Sequence, residues 1–472
     1  MLAGRGASSR SLTQAANITA PPPLMSHDMF ASEMMGLKQG LPDGLSGKTP
    51  PRHFIKARPP KTRRQPQPDE PEASVEAADY YAASDSKTSV LRDAPVASRW
   101  EPSDQIHVYG LDLPGRYIAH ALAGSETIPP VHYLIHRSYV WKCWNEAGRR
   151  LTLHKGENSV AHSRVIGEYI GPRTHTVGSD EVIRNLLVTV PAGNVVRALE
   201  PIVHRLDRNS SICLVQEGLG IVEDVVSAYF PDELARPTFI LGHMATFLDH
   251  PADNDERFSV SEVQQRRLYL TLVSSHGRGS VIKKHPPPER VVRQTHFLQL
   301  LTAMPGLNAA GYPMADFLRH KLPAVAFRAV ADPIATLIGS TYDGILKNHF
   351  ATRLMEDCIT EVCDVIARLP ECRDHKKFRG FRLRATMREQ IFQALQRRKT
   401  GDSTMRAKAA RGWETDVNYL TGFFVKRGRE LQVPVSSLKT LMLAVRAKQA
   451  AAVDQQRADI PYQELCDQEP RK

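Results

Sequence analysis

The sequence predicts an α/β chain: a mostly parallel sheet flanked by helices, then an all-helical region, with a polar leader in front. Three observations lead there. Short apolar strands alternate with helical runs between residues 106 and 275, the pattern of a parallel sheet covered on both faces. From about residue 296, apolar residues recur at three- and four-residue spacing, with Pro and Gly mostly at the ends of the runs. Residues 1 to 102 are rich in Pro, Ser, Ala and charge without a sustained period, which reads as disorder.

The elements follow in order. "IHVYG" (106–110) is a short apolar strand, followed by a helix from about Arg116 to Leu122. "VHYLIHR" (131–137) is the second strand, and "WKCW" (141–144) falls on a helix as a core or interface cluster around Cys143. "NLLVTV" (185–190) is a fully apolar strand leading into a helix through "VVRALEPIVHRL". "SSICLVQEGLG" (210–220) runs into the helix "IVEDVVSAYF", and "PTFILGHMATF" (237–247) and "RRLYLTLVSS" (266–275) add strands. The polar segment 250–265 reads as an inserted loop. Six helical runs follow, ending in "SSLKTLMLAVRAKQAAA". The expected organisation is a leader (1–102), a sheet domain (103–296), a helical domain (297–455) and a tail (456–472).

A chain of 472 residues with 42% hydrophobic and 24% charged residues can bury two or three cores. It holds no apolar run of roughly 18 residues, so a membrane span is not expected. Six cysteines (Cys143, Cys213, Cys358, Cys363, Cys372, Cys466) form no CxxC pair and no zinc spacing, so neither a metal centre nor a disulfide framework is expected. The first residues lack the apolar stretch of a secretory signal. They carry Arg5, Arg10, several Ser, Thr and Ala, and no acid before Asp28, which suits a mitochondrial presequence or an ordinary disordered start. The net charge of +11 suits RNA, an anionic membrane face or a phosphorylated ligand. Lys376, Lys377, Arg379, Arg382, Arg384, Arg397, Arg398, Lys399, Arg406, Lys408 and Arg411 concentrate that charge in the helical region. Gathered on one face they would bind phosphate; spread, they are a solvated exterior.

The stretch "IHVYGLDLPGRYIAHALAG" (106–124) reads as strand, glycine turn and helix, the opening of a Rossmann-like dinucleotide-binding unit. Its turn normally carries G-x-G-x-x-G, and here the three positions are Gly110, Asp112 and Gly115. Only glycine lets the backbone lie against a pyrophosphate. A carboxylate there also repels phosphate: two unit charges about 4 Å apart interact by roughly 4 kcal/mol at an effective dielectric near 20.

Several stretches, in order, resemble the ketopantoate reductase family over about residues 105 to 450. They are "GLDLPGRYIAHAL", "NLLVTVPAGNVVRALEPI", "ICLVQEGLGIVEDV", "AVAFRAVADPIATLIGSTYDGIL" and "STMRAKAARGWETDVNYLTGFFVKRGRELQVPV". The resemblance implies a Rossmann domain, a helical domain and NADPH-dependent reduction of ketopantoate. It also implies site residues, and most of them differ here. Pro191 stands where the family holds a lysine, and Glu217 where "QNGMG" holds an asparagine. The general acid is a lysine eight residues before an Asn-Pro, and counting back from Asp332-Pro333 gives Ala324. Arg328 replaces a frequent asparagine on the same helix. Thr404 and Asp416 keep the chemistry of the substrate-binding serine and glutamate, or are ordinary polar residues at helix starts. Arg137 lies where the family holds the 2′-phosphate of NADPH, and is equally an ordinary surface arginine.

Losses at positions of different roles point together to a retired site, with NADPH binding weak or lost and catalysis not expected. The rival reading is an active NADPH-dependent 2-dehydropantoate 2-reductase or related 2-oxo acid reductase that uses Lys321, in place of the acid, and Asp416; Pro323 argues that Lys321 lies outside the helix. Some fungal relatives of this fold are associated with mitochondrial translation. By analogy the chain is expected to be a mitochondrial binding or scaffold protein with RNA or a ribosome as partner.

Overall fold

A computed structural model describes residues 101–171, 181–251, 257–273, 288–373, 375, 378 and 381–458, all within the compact unit that runs from Leu91 to Lys472. The leader to residue 100, with its candidate presequence, residues 274–287, Lys376, Lys377, Arg379 and residues 459–472 lie outside the described residues.

The strands, in chain order, are β1 (Ile106–Tyr109), β2 (Val131–Ile135), β3 (Leu151–Lys155), β4 (Asn158–His162), β5 (Val165–Tyr169), β6 (Asn185–Val188), β7 (Ser211–Leu214), β8 (Thr238–Met244), β9 (Phe247–Asp249), β10 (Ser259–Gln264), β11 (Leu268–Leu272) and β12 (Ala309–Gly311). The helices are α1 (Leu113–Ala123), α2 (Ser138–Glu146), α3 (Val195–Leu199), α4 (Ile221–Tyr229), α5 (Pro288–Ala303), α6 (Met314–Ile338), α7 (Tyr342–Lys347), α8 (His349–Arg368), α9 (Phe381–Arg397), α10 (Thr404–Ala410), α11 (Thr421–Glu430) and α12 (Ser436–Ala458).

Eight strands form one sheet in the order β12-β11-β8-β7-β6-β1-β2-β5. From β8 to β5 all neighbours are parallel, whereas β11 runs antiparallel to β8. Strands β1, β6 and β7 are buried along their whole length, because helices cover both faces. One face packs Val108, Tyr133 and Leu187 with Tyr117 and Ile118 of α1 and Trp144 of α2. The other packs Tyr109, Leu134 and Ile212 with Val195 and Leu199 of α3 and Val225 of α4. Strand order reverses between β1 and β6, so the loops after them leave in opposite directions and open a crevice.

The structure departs from the sequence expectations in four places. Residues 250–265 are not wholly a loop: β9 and β10 join β3 and β4 in a second sheet, ordered β4-β3-β10-β9. These short strands carry few apolar residues, but Leu151, Phe258 and Val260 anchor them under α1. The helix after β6 is only α3, and a 3-10 segment with Pro201 in its first turn continues it to Arg205. Helix α5 packs on the sheet through Phe297 and Leu301, and β12 extends that sheet, so the helical part begins at α6. Finally, α6 runs from Met314 through Pro323, so Lys321 lies inside the helix. Burial of Phe317, Leu318 and Leu322 holds the turns before the proline in place.

The helical part gathers around α6, whose Val325, Ala329, Val330 and Ile334 share one core with Met355, Ile359 and Val362 of α8, Ile391 and Leu395 of α9, and Phe424 of α11. Among the described residues no helix is long and apolar enough to cross a membrane.

Candidate functional site

At the carboxyl ends of the central strands, the loops after β6 and β7 meet α6, α10 and the 3-10 turn at Asp416–Asn418, and the loop after β1 meets Thr189 just beyond β6. Each loop is fixed by its own chemistry. Gly110 has φ +140°, a backbone region closed to most side chains, and an added Cβ would lie 2.1 Å from Thr189 Oγ1. The buried Tyr133 hydroxyl donates to the Gly110 carbonyl at 2.9 Å. Gly115 also needs its bare Cα: a Cβ would fall 2.1 Å from Gly110 O and 2.6 Å from Thr189 Oγ1.

Asp112 is the N-cap of α1. Its Oδ1 accepts from the Gly115 backbone N–H at 3.1 Å and from the Thr189 hydroxyl at 2.5 Å. A helix N-terminus attracts anions through free N–H groups and the helix dipole. The anion here is the chain's own carboxylate. Burial pushes the Asp112 acid up to about 6, a rise that the hydrogen bonds from Thr189 and Gly115 partly oppose.

Glu217, in the loop after β7, is exposed and meets the Arg328 guanidinium of α6. Arg328 also donates from Nε to Asp332 Oδ2 at 2.8 Å and from Nη2 to Thr404 Oγ1 at 3.0 Å. Asp332 is fully buried and receives the Tyr342 hydroxyl at 2.5 Å. Asp416 receives Lys408 Nζ at 3.0 Å and the Gly193 N–H at 3.3 Å. These bonds tie the loop after β6 and the loop after β7 to the helical part. Leu219 N–H to Tyr419 O at 2.9 Å and an Arg427–Glu223 pair add to the closure.

Lys321 is buried, and its Nζ donates to two backbone carbonyls, Gln216 O at 2.6 Å and Gly242 O at 3.1 Å. Burial draws its amine down to about 7. Those bonds hold the root of the Glu217 loop against β8. Ala324, three residues on, is exposed and shares a helical face with Arg328 at i+4.

Of the residues singled out from the sequence, Gly110, Asp112 and Gly115 meet around Thr189, and Glu217, Arg328 and Thr404 form one cluster. Asp416 joins the loop after β6, next to Pro191, which is exposed. Arg137 is the exposed N-cap of α2, beyond the end of β2. Thr189 beside Asp112, Asp332 and Tyr342 beside Arg328, and Lys408 beside Asp416 were not singled out as site residues; only their partners in space identify them. The bases of α9 do not all stand free: Arg384 pairs with Asp364 and Arg388 with Glu356.

Two family models match the chain: "Ketopantoate reductase PanE/ApbA" over residues 106–272 and "Ketopantoate reductase PanE/ApbA C terminal" over residues 316–449. A Schizosaccharomyces pombe protein named "Probable 2-dehydropantoate 2-reductase" is 21% identical over 270 residues, 56% of this chain and 74% of that protein. Among solved structures, a PanE/ApbA family ketopantoate reductase from Ralstonia eutropha JMP134 superposes with a TM-score of 0.54 at 15% identity, covering 74% of this chain and 99% of the other. The dimeric ketopantoate reductase of Staphylococcus aureus gives 0.51 at 13%, with the same coverage. A D-mandelate dehydrogenase in a ternary structure with NADH and anilino(oxo)acetate gives 0.52 at 14%, again over 74% and 99%.

Proposed function

The chain belongs to the ketopantoate reductase family, and from that premise we propose that it is a member without reductase chemistry, acting as a binding or scaffold protein. The observation that carries this reading is Asp112. Its carboxylate accepts the Gly115 N–H at the start of α1, where a nucleotide-binding member needs free donors for phosphate. A pyrophosphate does not fit a helix N-terminus already holding an acid, because like charges at such range repel. The rest of the cleft agrees. Arg328 is bound by Glu217, Asp332 and Thr404, and Lys408 by Asp416, so both cations are spoken for by the chain itself. The exposed Ala324 supplies no proton.

The test is calorimetric titration of NADPH and NADH into the full chain. The D-mandelate dehydrogenase structure holds NADH, so both cofactors are tried. Neither should bind tightly, and Asp112→Gly should strengthen whatever binding there is. Tight binding by the unaltered chain would overturn the reading.

A second reading, a working 2-oxo acid reductase, has one observation in its favour. The buried Lys321 amine lies beside the loop bearing Glu217 and is drawn down to about 7, the range suited to a general acid near neutrality. Its burial and its two carbonyl partners favour a loop-holding role instead.

The partner and compartment are part of the same proposal. The basic helical region supports RNA or a ribosome as partner, and Arg5, Arg10 and the acid-free first 27 residues support a mitochondrial address. A reporter carrying residues 1–60 should enter mitochondria; a diffuse cytosolic signal would remove that address.

A further inference from the structure

We propose that His107, His132 and Glu168 form a binding site for a divalent metal ion of the zinc type, separate from the cleft. The three residues lie on adjacent strands β1, β2 and β5. His107 is the register partner of His132. Glu168 lies two residues beyond Ile166, the partner of His132 on β5, so the two-residue alternation of strands puts all three on one face. One ligand atom from each lies within 4.8 Å of the other two.

The separation of His132 and Glu168 suits coordination. His132 Nδ1 and Glu168 Oε2 are 3.5 Å apart. Two ligands about 2.0–2.1 Å from a tetrahedral ion stand roughly 3.4 Å apart. His107 Nδ1 is buried without a hydrogen-bond partner, and the buried His132 Nδ1 and Glu168 Oε2 have only each other, at 3.5 Å. Buried polar atoms normally have one, and a single ion would satisfy all three.

The surroundings orient the carboxylate. Arg205 Nη1 donates to Glu168 Oε1 at 2.5 Å, and its Nε donates to the Glu181 carbonyl at 2.8 Å. That leaves Oε2 to face the histidines, the kind of outer support that ligating carboxylates receive. Arg205 also offsets the Glu168 charge, so the two imidazoles dominate the donor set. Such a set selects zinc or another late first-row ion over magnesium and calcium, which take oxygen ligands. His132 is a quarter exposed, giving the ion a way in and leaving room for a water as fourth ligand.

The site serves the sheet, not the cleft. His107 precedes Gly110 by three residues, about 10 Å along a strand. Tyr109 shares the face of His107 and lies between it and Gly110. Since β5 ends the strand order, an ion here would pin that edge strand to the two inside it.

The experiment uses the full chain, stripped with a chelator and titrated with Zn²⁺ alone against a chromophoric indicator. One site per chain is expected, weakened at least about tenfold in His132→Gln and in Glu168→Gln. His162→Gln, which alters a histidine on β4, should leave it unchanged. Co²⁺ should give the strong visible bands of a four-coordinate ion in the parent and lose them in the first two variants. Circular dichroism identifies any variant that fails to fold, and Glu168→Gln keeps its bond to Arg205. No Zn²⁺ site in the parent, or equal affinity in all the variants, would overturn the proposal.

Discussion

At the scale of single residues, Asp112 and Lys321 are two ionisable groups held away from their ordinary ranges, and their signs are opposite. The Asp112 acid is raised to about 6 by burial. The folded chain therefore holds that proton more tightly than the unfolded chain does, and the group favours folding below about 3.8 and loses that contribution as pH rises toward 6. Asp112→Asn keeps an N-cap that can accept the Gly115 N–H and removes the titration. Its stability relative to the parent should therefore be greater at pH 7 than at pH 4, read from denaturant midpoints at the two pH values. An equal difference at both would mean the carboxyl is not held in the buried setting described. Lys321 works the other way. Its amine is drawn down to about 7, so the unfolded chain holds the proton more tightly and stability is lost as pH falls from about 10.5 toward 7.

At the scale of elements, the turn before α1 shows what a sequence reading reaches. Gly110, Asp112 and Gly115 were legible as a glycine turn with one position changed. That the carboxylate would fold back onto the helix it precedes required the Thr189 hydroxyl, 77 residues away, to be seen beside it. Strands β1, β2, β6, β7, β8 and β11 were legible because their runs are mostly apolar and mostly buried. Strands β3, β4, β9 and β10 were not, since their residues are largely half-buried or exposed and carry little period. The Pro323 argument failed because buried side chains on both sides of it outweigh the local preference of proline for a first turn. The His107, His132 and Glu168 cluster has no motif at all: its members are 25 and 36 residues apart, and only strand pairing joins them. The RNA reading belongs to this scale too. Arg382, Arg384, Arg397 and Arg398 lie exposed on or just after α9. Reversing their charge should flatten the salt dependence of RNA binding by full-length protein, because each lost phosphate contact releases fewer counterions. An unchanged slope would leave that face as solvation only.

At the scale of the whole molecule, the family's two-part architecture is retained while its cleft is bridged by the chain's own side chains. Hydride transfer to a ketone leaves charge on oxygen and needs a proton donor within reach. The exposed position on α6 that faces Arg328's side of the helix is Ala324, and the nearest lysine, Lys321, is turned inward onto two carbonyls. Loss of a placed general acid costs about 10² to 10⁴ in rate before any loss of cofactor affinity. Adding Ala324→Lys alone should not restore turnover, because Asp112 and Glu217 remain. The most direct test is ketopantoate-dependent oxidation of NADPH by the purified full chain, with Lys321→Ala assayed beside it. No rate above the blank is expected from either protein. Turnover by the parent that Lys321→Ala abolishes would contradict the account and make Lys321 the acid of a working reductase.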